Sequence, residues 1–152
     1  MLTAALAILL QAQSGMGGPE LWRGLTYGMT KGQADEIMPQ KEVDLLSNCR
    51  ASVIKDFAGN RLSAVVLRPK WILAKNDCSA PILASLQQKY GTPTRDVITE
   101  PGNSLMASED YDTYVWQTEK LFVVFKSQIG GRKWNLTYRL PTTSSVEHVD
   151  GL

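Results

Sequence analysis

Residues 51–67 read ASVIKDFAGNRLSAVVL, and this stretch decides the fold. Apolar and polar side chains alternate on both sides of Ala58-Gly59-Asn60, whose small and polar residues are typical of a turn. Strands joined by so short a connection run antiparallel, because parallel strands need a long crossover. The stretch therefore predicts a β-hairpin.

Three more segments with a period of two follow in the C-terminal half. Their shared faces carry Tyr114 and Trp116, then Leu121, Val123 and Phe125, then Trp134, Leu136 and Tyr138. Gly130-Gly131 supplies the turn between the last two segments, because glycine adopts positive φ at no steric cost. These segments predict a meander of three antiparallel strands.

Two short helices are predicted beside the strands. Thr30 and Gln33 have the spacing of a capping box at the start of the first helix, and Pro39 stops it. The second helix opens at Ser79 and ends before Gly91, and its apolar stripe is formed by Ile82, Leu83, Leu86 and Tyr90. The expected fold class is α+β, an antiparallel sheet with two short helices on one face.

The composition is that of one globular domain, which we assign to residues 21–140. The chain has 152 residues, of which 43% are hydrophobic and 20% are charged. Similar turns near Gly59 and Gly130 favour a tandem helix-plus-hairpin repeat with halves 21–70 and 79–140; chance similarity between hairpins is the alternative. The net charge of +1 lacks the basic field on which nucleic-acid binding depends, so no nucleic-acid partner is expected.

The first ten residues, MLTAALAILL, form an uncharged apolar run. The run is too short to span a bilayer, which takes about 20 residues, and it has the length of a secretory signal core. Ala12-Gln13-Ser14 offers small residues for cleavage, so residues 1–14 are predicted to be a signal peptide, with a buried N-terminal helix as the alternative. Residues 15–20 are predicted to be a flexible joint and residues 141–152 a disordered tail.

The chain has two cysteines, Cys49 and Cys78, and neither belongs to a CxxC motif. In an oxidising compartment an even pair most simply forms one disulfide. We predict a structural disulfide between them, with two inert thiols or a reactive thiol as alternatives. Since Cys49 lies far from the apolar run, we expect no lipid anchor in the mature chain.

Two segments resemble small bacterial envelope proteins. Residues 25–34, LTYGMTKGQA, are similar to the G-M-T/S-x-x-E/Q-V motif of BamE/SmpA-type proteins and of β-lactamase inhibitory protein-like domains. Tyr90-Gly91-Thr92-Pro93 is similar to their helix-ending Y-G-x-P. The resemblance implies a capped helix that leads into antiparallel strands, and a concave sheet that binds enzymes through aromatic and polar side chains. BamE-type proteins differ in carrying a lipid-modified cysteine at their mature start.

Aromatic side chains on the predicted strands are candidate contacts for a protein partner. They are Tyr114, Trp116, Trp134 and Tyr138. The alternative is that these rings form the core, because faces of period two in a half-buried sheet usually point inward.

An acidic cluster is the second candidate contact, and it consists of Glu109, Asp110 and Asp112. We place it in a long loop from Thr99 to Asp112, where turn residues such as Pro101 and Gly102 are frequent. These carboxylates are expected to be solvated, with a weak divalent-cation site or a partner contact as the alternative. A loop of this length indicates either binding or a tolerated insertion.

No catalytic, cofactor-binding or metal site is predicted. His148 is the single histidine and falls in the predicted tail, so a serine or cysteine nucleophile has no base. We expect an exported, non-enzymatic binding or assembly module of the bacterial cell envelope, periplasmic or secreted, with a protein partner and no membrane span. A secreted inhibitor of an extracellular enzyme and a small hydrolase are the alternatives.

Overall fold

The computed structural model describes residues 17–70 and 78–142, and these ranges contain nine strands and two helices. The strands are β1 (Glu20–Trp22), β2 (Leu25–Thr26), β3 (Glu42–Leu46), β4 (Cys49–Ala58), β5 (Arg61–Pro69), β6 (Thr94–Glu100), β7 (Glu109–Gln117), β8 (Phe122–Gln128) and β9 (Trp134–Arg139). The helices are α1 (Lys31–Ile37) and α2 (Ser79–Tyr90).

Seven of the strands form one antiparallel sheet in the order β3-β4-β5-β9-β8-β7-β6, while β1 and β2 pair with each other. β5 pairs with β9 at the centre, with Val65 opposite Tyr138 and Leu67 opposite Leu136. The sheet is therefore continuous through both of the predicted halves, and β3 and β6 are its two edges.

The prediction of an α+β fold is wrong, because the described part of the chain is mainly antiparallel β, with 51% of the described residues in strands and 16% in helices. Three sheet strands follow α1 and four follow α2, so neither half is a helix plus a hairpin. The missed strands β3 and β6 have no usable alternation, since β3 has no buried residue and β6 is exposed along its whole length. The helices form no layer of their own, since the β1–β2 hairpin shares their place over the sheet.

The local predictions for the first hairpin and the first helix are confirmed. β4 and β5 pair antiparallel through a turn in which Gly59 and Asn60 have φ of 55° and 62°. The Gln33 amide donates to Thr30 Oγ1 at 3.3 Å, and the Thr30 amide donates to Gln33 Oε1 at 3.0 Å, which completes the capping box.

The sheet has two faces of different character. We name one the core face; it carries buried Val53, Val65, Leu67, Leu136, Tyr138, Val123, Phe125, Trp116 and Trp134. The same core cluster includes Leu21 and Leu25 of the β1–β2 hairpin, Ala34 of α1, and Ile82 and Leu86 of α2. The core thus lies between one face of the sheet and a cover of mixed elements.

The predicted loop from Thr99 to Asp112 is wrong. β6 and β7 pair without a register shift from Thr94 opposite Val115 to Glu100 opposite Glu109, so only residues 101–108 connect them. The acidic residues therefore stand on a strand.

Several predicted segments lie wholly or partly outside the described residues. The signal peptide of residues 1–14 is outside them, and of the tail only residues 141 and 142 are described. In the described part of the joint, the Gly18 amide donates to the Tyr27 carbonyl at 3.0 Å, and the Tyr27 amide donates to the Pro19 carbonyl at 3.0 Å. β1 then begins at Glu20.

Candidate functional site

The face opposite the core face, which we name the open face, is covered by no element of the described residues. Its middle is a row of side chains that face one another across five neighbouring strands. The row runs through Ile54, Val66, Thr137, Val124 and Val115. Four of these five residues are apolar although they belong to the uncovered side, and only Val66 is fully buried. An apolar row without a cover is a candidate contact surface.

Polar and aromatic residues flank the apolar row. On one side Arg139 lies opposite Phe122, with its guanidinium carbon 4.1 Å from the ring centre. On the other side Lys126 lies between Asn135 and Thr113. The open face therefore combines an apolar middle with cations and an aromatic ring at its margins.

A cavity of about 500 Å³ is sunk into the open face. Val124 and Thr137 of the apolar row contribute to it, together with Arg68, Glu100, Tyr111, Lys126, Lys133 and Asn135. This volume falls within the range of about 300–1,000 Å³ that small-molecule and anchor-residue pockets occupy.

Two ion pairs hold the rim of this cavity. The Lys126 ammonium donates to Glu100 Oε1 at 3.0 Å, and its stem crosses β7 to reach that residue on β6. The Lys133 ammonium donates to Glu109 Oε1 at 2.6 Å, while the Tyr111 hydroxyl donates to Glu109 Oε2 at 2.7 Å. The rim is thus positioned before any partner arrives.

These contacts shift the pKa values of two rim groups in opposite directions. The Lys133 ammonium, and then the Tyr111 hydroxyl, hold the pKa of Glu109 below its ordinary value. Burial, and then the hydrogen bond to the Glu109 carboxylate, raise the pKa of Tyr111 to about 12. At neutral pH Glu109 is therefore charged and Tyr111 is a hydrogen-bond donor.

The open face also holds one unsatisfied hydroxyl. Thr113 is 4% exposed, and its Oγ1 has no hydrogen-bond partner among the described residues. Burying a hydroxyl without a hydrogen-bond partner costs free energy, so the buried Thr113 hydroxyl destabilises the folded protein.

The structure places the predicted aromatic contacts on the core face. Trp116, Trp134 and Tyr138 are each 4% exposed, and Tyr114 packs against the same cluster with its ring 6.3 Å from that of Phe125. Trp134 also borders the open-face cavity. The core is the alternative that agrees with these positions, and the rings on the open face are those of half-buried Phe122 and buried Tyr111.

The three acidic residues are divided between the two sides of the sheet. Glu109 lies on the open face beside Lys133. Asp110 and Asp112 lie on the other side, where the Thr99 hydroxyl donates to Asp110 at 2.6 Å and Arg95 pairs with Asp112 at 2.6 Å. Each carboxylate already has a partner, and the described residues contain no group of three or more potential metal ligands.

The predicted disulfide is present between Cys49 and Cys78, whose Cα atoms are 5.8 Å apart. It joins the start of α2 to the turn between β3 and β4. At the other end of α2, the Trp116 indole donates to the Gly91 carbonyl at 2.8 Å. Both ends of α2 are therefore fixed to the sheet.

The described ranges contain no histidine, since His148, the only histidine of the chain, lies outside them. A search of the same residues finds no helix with the length and apolar character that crossing a membrane takes. No protein-family model, curated protein or solved structure matches this chain.

Sequence reasoning missed the residues of the open face, although a signal for them exists. Val66 and Val124 are apolar at positions that alternate with core residues, so β5 and β8 are apolar on both sides. A strand that is apolar on both sides in a sheet with one covered face indicates a second contact surface.

Proposed function

We propose that the protein is an exported, non-enzymatic binding module, and that a protein partner docks on the open face. The observation that carries this proposal is the apolar row from Ile54 to Val115, which runs across five strands with no cover from the described residues. Protein interfaces have an apolar middle and a polar rim, and they are enriched in arginine and aromatic residues relative to the rest of the protein surface.

The cavity supports a specific mode of docking. Binding energy at protein interfaces is concentrated in a few large side chains that fill pockets. The cavity beside Val124 and Thr137 is large enough for such an anchor, and Lys126 and Glu109 at its rim supply charges of both signs. An apolar or aromatic anchor with a polar tip is the partner chemistry that fits.

The disulfide supports export. Disulfides form and persist in oxidising compartments and are rare in the cytosol. Together with the apolar opening run, the Cys49–Cys78 bond favours the periplasm or the cell exterior as the working compartment.

Site-specific crosslinking in envelope extracts tests the docking surface. A photoreactive amino acid at Thr137, in the middle of the apolar row, should capture a discrete partner, whereas the same group at Gln88, exposed on α2, should not. Thr137→Arg should weaken partner binding at least tenfold, since it places a long cation on the apolar row. Gln88→Arg is the matched control and should leave binding unchanged.

Intact mass with and without reduction tests export in the same preparation. Cleavage after Ser14 and a mass gain of two hydrogen atoms on reduction are expected. A full-length intracellular protein with both thiols open to maleimide contradicts the proposal, as does equal capture from Thr137 and Gln88.

A secreted enzyme inhibitor is the second candidate, because an open face that combines a cavity with polar and aromatic residues also suits that role. In that case the captured partner is a hydrolase, and its activity falls on addition of the protein. Phe122→Ala and Lys126→Ala should then relieve the inhibition, whereas a change at core residue Trp116 would test only folding.

A further inference from the structure

A second cleft, of about 300 Å³, lies between α2, β3 and β1, away from the open face. Six of the residues that line it are apolar or largely apolar, namely Trp22, Leu45, Leu46, Ile82, Leu86 and Leu136. The volume is at the lower end of the range for small-molecule sites, about 300–1,000 Å³. The cleft is thus sized for one small, largely apolar molecule.

The cleft is apolar at one end and cationic at the other. Ile82 stands in the first turn of α2 and Lys89 in the last, which separates them by about 10 Å at 1.5 Å per residue. Lys89 and Arg23, from the β1–β2 turn, both line the cleft. Glu20 lines it too, and its Oε1 accepts a hydrogen bond from the Gly24 amide at 2.8 Å. The Arg23 guanidinium lies 4.7 Å from the Trp22 ring centre and donates to the Asp44 carbonyl at 3.4 Å, and the Lys89 ammonium lies 5.1 Å from the Tyr90 ring centre. Neither cation forms an ion pair with a carboxylate of the described residues.

A buried tyrosine lines the same cleft. Tyr138 is 4% exposed, lines the cleft, and stacks on Trp22 with ring centres 6.4 Å apart. Its hydroxyl makes no hydrogen bond to any described residue, although burial keeps it protonated by raising the pKa of Tyr138. A protonated phenol in this position can donate to an oxygen of a bound molecule.

The walls of the cleft are fixed before a ligand binds. The Cys49–Cys78 disulfide ties the start of α2 beside β3, where Leu46 pairs with Cys49. The bond from the Trp116 indole to the Gly91 carbonyl holds the other end. Binding therefore does not have to order α2, which favours affinity.

We propose that this cleft binds a medium-chain aliphatic carboxylate. The carboxylate lies between Arg23 and Lys89 and accepts a hydrogen bond from the Tyr138 hydroxyl. The aliphatic chain extends along the apolar walls toward Leu46 and Ile82. Charge-assisted hydrogen bonds hold the head group, and burial of the chain supplies the rest of the affinity.

Calorimetric titration of the oxidised protein with three probes tests the two ends of the cleft separately. Octanoate should bind, while octan-1-ol, which lacks the charge, and acetate, which lacks the chain, should each bind at least tenfold more weakly. If octanol binds as tightly as octanoate, the cations do not bind the head group. If acetate binds as tightly as octanoate, the apolar walls do not bind the chain. Absence of octanoate binding at millimolar concentration overturns the proposal.

Variants locate the head group. Lys89→Gln and Tyr138→Phe should each weaken octanoate binding about tenfold, since each removes one charged or donor contact. Lys89→Gln should leave octanol binding unchanged, because octanol carries no charge. Lys120→Gln, at an exposed lysine in the turn before β8, is the matched control and should change neither.

Lys89 is exposed, so its variant provides the test even where circular dichroism shows that Tyr138→Phe has disturbed the core. Octanoate affinity that is unchanged by Lys89→Gln contradicts the placement of the carboxylate. A leucine-terminated peptide that binds more tightly than octanoate would assign the cleft to chain ends instead of fatty carboxylates.

Discussion

Removal of the Cys49–Cys78 disulfide should destabilise the protein by an amount that follows from its loop length. The bond closes a loop over a sequence separation of 29 residues. A cross-link of this span removes chain entropy from the unfolded state worth about 3–4 kcal/mol at 25 °C. Since each kcal/mol shifts the midpoint of a domain of this size by roughly 2–4 °C, we expect the thermal midpoint to fall by about 10 °C.

The disulfide can be removed in two ways, and comparing them separates the effect of the cross-link from the effect of local packing. Cys49→Ala/Cys78→Ala and the wild-type chain under reductant both lack the bond, but only the double variant changes the side chains. Both cysteines are buried, and alanine adds no polar group at either position. Urea unfolding followed by circular dichroism should give the same loss of unfolding free energy for both, within about 1 kcal/mol.

Two results would refute this reasoning. If the reduced wild type unfolds at the same urea concentration as the oxidised protein, the bond does not restrict the unfolded chain as calculated. If only the double variant is destabilised, the loss comes from packing around the missing sulfurs and not from the cross-link.

Four further predictions concern the core, a helix start and the two titrating groups at the cavity rim. Phe125→Ala should cost about 3–5 kcal/mol in urea unfolding, because Phe125 is fully buried, whereas Val97→Ala at a half-exposed edge position should stay within about 0.5 kcal/mol. Thr30→Ala should cost about 1 kcal/mol through loss of the capping box, and Thr30→Ser should restore most of it in the same assay. Folding lowers the pKa of Glu109, so its carboxylate stabilises the folded protein above the ordinary pKa of 4.5, and this stabilisation is lost as the pH falls through the lower pKa of the folded state. The thermal midpoint of Glu109→Gln should therefore fall less steeply in acid than that of the wild type. Folding raises the pKa of Tyr111 from 10.0 to about 12, so the unfolded chain ionises first and stability should decrease from pH 10 to 12, less steeply in Tyr111→Phe.

Signals that act over a few residues predicted the local structure correctly. The turn at Gly59-Asn60 and the capping box at Thr30 are satisfied by neighbours in the chain, so their geometry does not depend on the rest of the fold. The disulfide was predictable for another reason, since a chain with two cysteines has only one intramolecular pairing available.

Features that depend on how the sheet assembles could not be predicted from the sequence alone. β6 has no buried residue, so it lacks an alternation that would mark it as a strand, and its pairing with β7 alone makes it one. The acidic cluster was assigned to a loop for the same reason. Glu109 then turned out to face away from Asp110 and Asp112, because successive residues of a strand point to opposite sides.

The sequence by itself determined which residues share a side of β4, β5, β7, β8 and β9, where α1 begins and ends, and that the two sulfurs have only each other as partners. The tertiary structure alone decided which side is covered, because that depends on where α2 and the β1–β2 hairpin pack. It also joined β5 to β9 and thereby brought Val66 and Val124 into one uncovered row. The alternation of apolar and polar residues shows which side chains of a strand share a side. Which of the two sides is buried depends on contacts between residues far apart in the chain.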